Sequence, residues 1–137
     1  MRCFLVAIAA VLLSSAAAQD CPTKAFGTCG TDADNISCCP NGFYCQPWRN
    51  NVFQCIPTPS QCSMQLINVD LYGNDLKAIY NVQPGDCCAQ CAQTPGCVGY
   101  TFVDSDPSGP ACYLKNSVGT KDTRRTRSGV VSGVLQK

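Results

Sequence analysis

The sequence predicts a small disulfide-rich protein made of two unequal modules. The first is a short antiparallel β-sheet. The second is an α+β unit, with one helix on an antiparallel sheet. Three observations carry this. Of 137 residues, 13 are Cys. Twelve of them form two sets of six on either side of Pro57-Thr58-Pro59-Ser60-Gln61. One segment alone, the Cys-rich stretch after Asp86, reads as a helix, whereas the apolar residues around it alternate as in strands.

The chain opens with an export-type leader over residues 1–18. Arg2 supplies the positive start, Phe4 to Leu13 the apolar run and Ser14 to Ala18 the small residues, with Ala16-x-Ala18 as a cleavage signal before Gln19. The run is shorter than the ~20 apolar residues of a membrane span. Taking 18 residues from 137 leaves 119, and losing Cys3 from the 13 Cys leaves 12, an even number. At about 10% Cys, such a chain reads as a disulfide scaffold exported to an oxidising compartment. Export also argues against reading Cys38-Cys39 and Cys87-Cys88-x2-Cys91 as a metal cluster, which would need reduced thiols.

The composition removes several kinds of chemistry. The chain has no His, and its nine acidic residues are all Asp. There is thus no imidazole acid, base or ligand, and no Cys-His or Ser-His nucleophile. The net charge of +1 gives no case for nucleic acid. No cofactor and no metal are expected, and the protein reads as non-enzymatic.

The first module spans residues 19–56 and carries Cys21, Cys29, Cys38, Cys39, Cys45 and Cys55. A unit below ~40 residues cannot bury a sufficient core, so cross-links must hold it. Gly27, Gly30, Pro40, Asn41-Gly42 and Pro47 mark turns. Phe43-Tyr44 and Val52-Phe53-Gln54 read as strands, and no helix is expected. Phe26, Phe43, Tyr44, Trp48 and Phe53 exceed what so small a core can hide. Some of these rings should face solvent, where they could stack on sugar rings.

Residues 57–61 form the joint. Its prolines favour an extended spacer of roughly 15 Å.

The second module spans residues 62–137, with Cys62, Cys87, Cys88, Cys91, Cys97 and Cys112. Leu66 to Tyr72 reads as a strand ended by Gly73-Asn74. Asp86 is placed as the N-cap of a helix over Cys87–Gln93, closed by Pro95-Gly96. Cys87, Cys88 and Cys91 share one face of that helix. Val98–Val103 alternates, with Val98, Tyr100 and Phe102 inward, and Ala111–Leu114 and Gly129–Leu135 read as further strands.

The string Cys21-x7-Cys29-Gly30, then Cys38-Cys39-Pro40-x-Gly42-x2-Cys45-Gln46, then Phe53-Gln54-Cys55 resembles the fungal-type cellulose-binding domain, carbohydrate-binding module family 1. The resemblance implies a flat three-stranded antiparallel sheet and the bridges Cys21–Cys38, Cys29–Cys45 and Cys39–Cys55. It also implies a face on which three rings stack on successive glucose units, helped by amides. Matched position by position, Phe26 takes the first ring and Gln54 an amide. Asn51 and Val52 stand at the other two ring positions and Arg49 at the usual Asn; Trp48 and Phe53 stand close by as substitute rings. The double Cys followed by Cys45 is also similar to the hevein-type chitin-binding domain, which has Gly where Gln46 stands here and more Cys.

In the second module, Val69-Asp70-Leu71-Tyr72-Gly73-Asn74-Asp75-Leu76, then Asp86-Cys87-Cys88-x2-Cys91-x2-Thr94-Pro95-Gly96-Cys97-x-Gly99-Tyr100-Thr101-Phe102, then Cys112-Tyr113-Leu114-Lys115 resembles a PAN/Apple domain. This implies a helix cradled by a five-stranded antiparallel sheet and recognition of proteins or carbohydrates. It implies a Cys91–Cys97 bridge, with Cys112 and Cys62 each joined to Cys87 or Cys88. The pairing of the two modules is similar to the cellulose-binding elicitor lectins of oomycetes. It implies a secreted or cell-wall-associated lectin that a plant host could sense.

Asn35-Ile36-Ser37 is an N-glycosylation sequon. Lys121, Arg124, Arg125 and Arg127 form a basic run, read first as a solvated loop and second as an acidic-glycan or phosphate contact or a dibasic processing site at Arg124-Arg125. Asp104-x-Asp106 reads as turn chemistry rather than a hydrolytic carboxylate pair. The functional expectation is a secreted, non-catalytic carbohydrate-binding protein using Phe26, Trp48, Asn51, Phe53 and Gln54, with cellulose or a related cell-wall polysaccharide as partner. The alternative is a protein–protein effector, meeting host or cell-surface proteins or glycans, whose cellulose site is degenerate.

Overall fold

The computed structural model describes residues 20–32 and 34–137. The leader expected over residues 1–18 lies outside the described residues. The elements are β1 (Thr28–Gly30), β2 (Phe43–Trp48), β3 (Val52–Pro57), β4 (Met64–Asp70), β5 (Asp75–Tyr80), α1 (Pro84–Gln93), β6 (Gly99–Val103), β7 (Ala111–Lys115) and β8 (Arg125–Val134). They form two antiparallel sheets, ordered β1-β3-β2 and β4-β8-β6-β7-β5. Six disulfides hold them, making a small disulfide-rich, β-rich protein with one α-helix among the described residues.

The first sheet is closed by Cys21–Cys38, Cys29–Cys45 and Cys39–Cys55. Its core is correspondingly small: Cys29, Cys45, Phe53 and Cys55, flanked by Ile36 and Phe43. Pro47 is tolerated in β2 because β2 is an edge strand and Pro can give no N–H to a ladder. The paired residues Cys45–Cys55 and Pro47–Phe53 share the inner face, so Tyr44, Gln46 and Trp48 point the other way. Gln46 is fully buried, donating to the Pro47 carbonyl at 2.8 Å and accepting from the Tyr44 hydroxyl at 2.8 Å.

In the second sheet Tyr100, Phe102, Cys112 and Leu114 form the face on which α1 packs. Every bridge of this half involves the helix: Cys62–Cys88, Cys87–Cys112 and Cys91–Cys97. The helix starts earlier than the sequence suggests. Gln83 is its N-cap, Pro84 opens its first turn, and Asp86 sits three residues in, accepting from the Gln83 N–H at 3.0 Å. The first strand of this sheet runs from Met64 to Asp70 and is broken by a bulge at Asn68, rather than covering Leu66–Tyr72.

Two further expectations are corrected. The basic run is not all loop: β8 begins at Arg125, so Arg125 and Arg127 lie on a strand. There the Arg125 guanidinium stacks on Tyr72 at 3.3 Å, and Arg127 reaches Asp70 at 3.4 Å. The joint is not a free spacer either. Pro57 pairs with Phe43, the Thr58 N–H donates to the Gly42 carbonyl at 2.8 Å, and Ser60–Cys62 forms a 3₁₀ turn entering the second core.

The sheets touch directly. β2 packs on β4 and β8, and the Trp48 ring meets Phe102 edge-on at 6.4 Å. Beside it, buried Asp104 accepts from the Arg49 backbone N–H at 2.6 Å and from its Nε at 3.3 Å, while Arg49 Nη2 donates to the Asp104 carbonyl at 2.9 Å.

Candidate functional site

Phe26 is the most exposed large apolar residue of those described, at 60%. Its backbone is left-handed, with φ 62°. That conformation costs an ordinary L-residue about 1–2 kcal/mol, and for a bulky one it is an outlier. Four contacts hold it there. The Phe26 N–H donates to the Cys55 carbonyl at 2.9 Å, and Gln54 Nε2 donates to the Phe26 carbonyl at 3.0 Å. Cys55 N–H donates to the neighbouring Gly27 carbonyl at 2.9 Å, and the Phe26 ring meets Phe43 edge-on at 5.5 Å. An exposed ring pinned on an unfavourable backbone is explained neither by burial nor by propensity.

The other residues singled out from the sequence divide. Gln54 stays half-buried beside Phe26 and spends one amide proton on it. Val52 is exposed on the same strand. Phe53 is only 3% exposed and packs among the cystines, so it offers no stacking surface. The alternation that exposes Val52 forces this. Trp48 faces Phe102 between the sheets and is no exposed platform. Asn51 sits on the turn Arg49–Asn51 with φ 56°, a backbone that Asn accepts and an aromatic residue resists. The sheet face thus keeps one exposed ring, with one amide next to it.

Asn35 is exposed, and its amide nitrogen donates to both Asp32 oxygens, at 2.9 and 3.0 Å. That side-chain bond, with the Asp34 N–H next, holds the Asp32 carboxyl below the usual range. Asp106 behaves as a turn residue, accepting from the Ser108 N–H at 2.9 Å and from the Tyr113 hydroxyl at 2.6 Å. The Tyr113 bond lowers the Asp106 carboxyl and raises the Tyr113 hydroxyl. Sulfurs of Cys29, Cys39 and Cys45 cluster within 4.8 Å, but all three belong to disulfides and offer no thiolate to a metal.

A cleft of about 290 Å³ crosses the face of the second sheet opposite the helix, and sequence reasoning did not find it. Thr101, Val103 and Tyr113 line it together with Tyr72, Asp70–Arg127 and the pair of buried Lys115 with Asp75. It exists because β4 and β5 are the two outer strands, so the chain from Leu71 to Asn74 must cross over the face of the sheet. Alternation in β6 and β7 was the available signal, since it sets Thr101, Tyr113 and Lys115 opposite the apolar face.

The cleft, the helix and four of the five strands lie between residues 69 and 115 or overlap that span. Residues 69–115 match the family model of the PAN domain. The matched stretch carries α1, both adjacent half-cystines Cys87 and Cys88, and the central strands β6 and β7. PAN domains commonly mediate protein–protein or carbohydrate interactions. No curated protein matches the chain.

Proposed function

We propose that the protein is a secreted, non-catalytic carbohydrate-binding protein that docks on cellulose or a related cell-wall polysaccharide. The carrying observation is Phe26, exposed and held on a left-handed backbone beside the Gln54 amide. A ring kept at a conformational cost is the form strain takes at binding sites. The cysteine spacing of the first module, similar to that of cellulose-binding domains, supports the same ligand, and the PAN match supports a recognition role. Secretion is supported by six disulfides; among the described residues, no helix is long and apolar enough to cross a membrane.

The test is retention of the oxidised protein on crystalline cellulose, with chitin in parallel. Retention on cellulose that falls in Phe26→Ala supports the reading. Equal retention of both forms, or none, removes it.

One observation favours a second reading, recognition of a protein. The sheet face carries a single exposed ring, while the outer strand β5 exposes Leu76 and Tyr80. If cellulose retention is absent, Leu76 and Tyr80 become the residues to mutate in a partner screen.

A further inference from the structure

Where the turn after β2 meets the second sheet, a polar pocket of about 380 Å³ opens between the two modules. Trp48, Asn50 and Asn51 line it from the first module, and Ser105 and Ser128 from the second. Its size reaches the lower range of small-ligand sites. We propose that this seam is a second, composite site for a neutral saccharide, distinct from the Phe26 face. The proposal rests on the carbohydrate-binding reading above and assigns it a separate place in the molecule.

Three observations converge there. The indole ring of Trp48 is half-buried at the wall of the pocket, so an apolar ring edge borders the space a ligand would fill. Its Nε1 is shut off from solvent without a hydrogen-bond partner, so the pocket is offered the ring and not the N–H.

Left-handed backbone is also concentrated at the seam. Asn50 has φ 67° and Asn51 φ 56° on the turn, and Gly129, next to Ser128, has φ 79°. The Gly129 N–H donates to the side chain of Asn68, itself at φ 57° in the bulge of β4. Bulges and strained turns re-aim side chains and gather at binding sites.

The chemistry of the lining selects the ligand class. Arg49 is neutralised by Asp104, so no unpaired charge remains to attract an anion. What remains is two amides and two hydroxyls, each able to donate and accept, around an indole ring. That set suits a hydroxyl-rich, uncharged sugar.

The chain has a single Trp, so its emission reports on the seam alone. The oxidised full-length protein is titrated with cellotetraose, with chitotetraose and xylotetraose in parallel. The expected result is a saturable change in Trp48 emission with at least one of them. Combining Asn51→Gly, which keeps the left-handed turn, with Ser128→Ala should weaken it about tenfold, whereas Phe26→Ala leaves it unchanged. Insensitive emission with cellulose retention intact overturns the seam site and leaves the cellulose-face reading standing. A change that survives the double variant also overturns the seam site. Loss of both signals removes both.

Discussion

Asp104 takes two hydrogen bonds from Arg49, a residue 55 positions earlier, and one of them comes from the Arg49 backbone N–H at 2.6 Å. The contact joins the first module to the second through a side chain that is nearly fully buried. Asp104→Ala leaves that N–H without an acceptor in the seam, and the expected loss is about 1–3 kcal/mol. Asp104→Asn keeps a carbonyl in the same place and should lose less than half as much. Urea midpoints at constant m-value check both. The same Asp104→Asn protein serves in a hydrolysis screen on cellulose and chitin, where neither it nor the parent should release sugar.

Phe26→Gly separates binding from stability. Relief of the left-handed backbone gains about 1–2 kcal/mol, and loss of the edge contact with Phe43 costs about 0.5–1.5 kcal/mol. Thermal unfolding should therefore shift little or upward while cellulose retention is lost. A large destabilisation would mean that the ring is there for packing.

Restoring an aromatic residue at Asn51, where the resembling family carries one, should not restore a binding face. At φ 56° Asn51→Tyr is expected to cost about 1–2 kcal/mol and to leave cellulose retention no higher than the parent's. Increased retention would show that the turn rearranges around the new ring.

The Tyr113–Asp106 hydrogen bond limits stability at both ends of the pH scale. The folded Asp106 carboxyl titrates below its ordinary 3.8. Its contribution is therefore present above 3.8 and lost as pH falls through the folded value. The folded Tyr113 hydroxyl titrates above its ordinary 10.0. Its contribution is present below 10.0 and lost as pH rises beyond it. Asp106→Asn should flatten the melting temperature against pH in both windows by lowering it slightly in the neutral region, where the contribution is present, and leaving the acid and alkaline ends nearly unchanged.

Local signals in the sequence carried much of the second sheet and its helix. Alternation marked Tyr100 and Phe102 as inward, and both lie in the core. The strand Asp75–Tyr80 went unread because it is an outer strand with exposed Asp75, Leu76 and Lys77, so no alternation shows. The helix start was misplaced because Asp is a good cap, yet Pro84 two residues earlier already fixes a helical φ. Among the candidate site residues, Phe53 reads from the sequence as a substitute ring, although strand alternation turns it away from Val52 and Gln54 and into the cystine core. Trp48 and Asn51 could not be placed, because what surrounds them is supplied by Ser105 and Ser128 far along the chain.

Cys87 and Cys88 are neighbours on α1, one bonded to Cys112 and the other to Cys62. Adjacent helical positions differ by about 100° around the axis. An oxidative refolding that exchanged the two partners would form the same number of bonds with the same mass, yet turn the helix by that angle and draw other side chains onto β6 and β7. Two isobaric products that differ in retention time, with peptide mapping as the only covalent distinction between them, are the preparative hazard built into this pair, and recombinant material should be sorted on that basis before any binding assay.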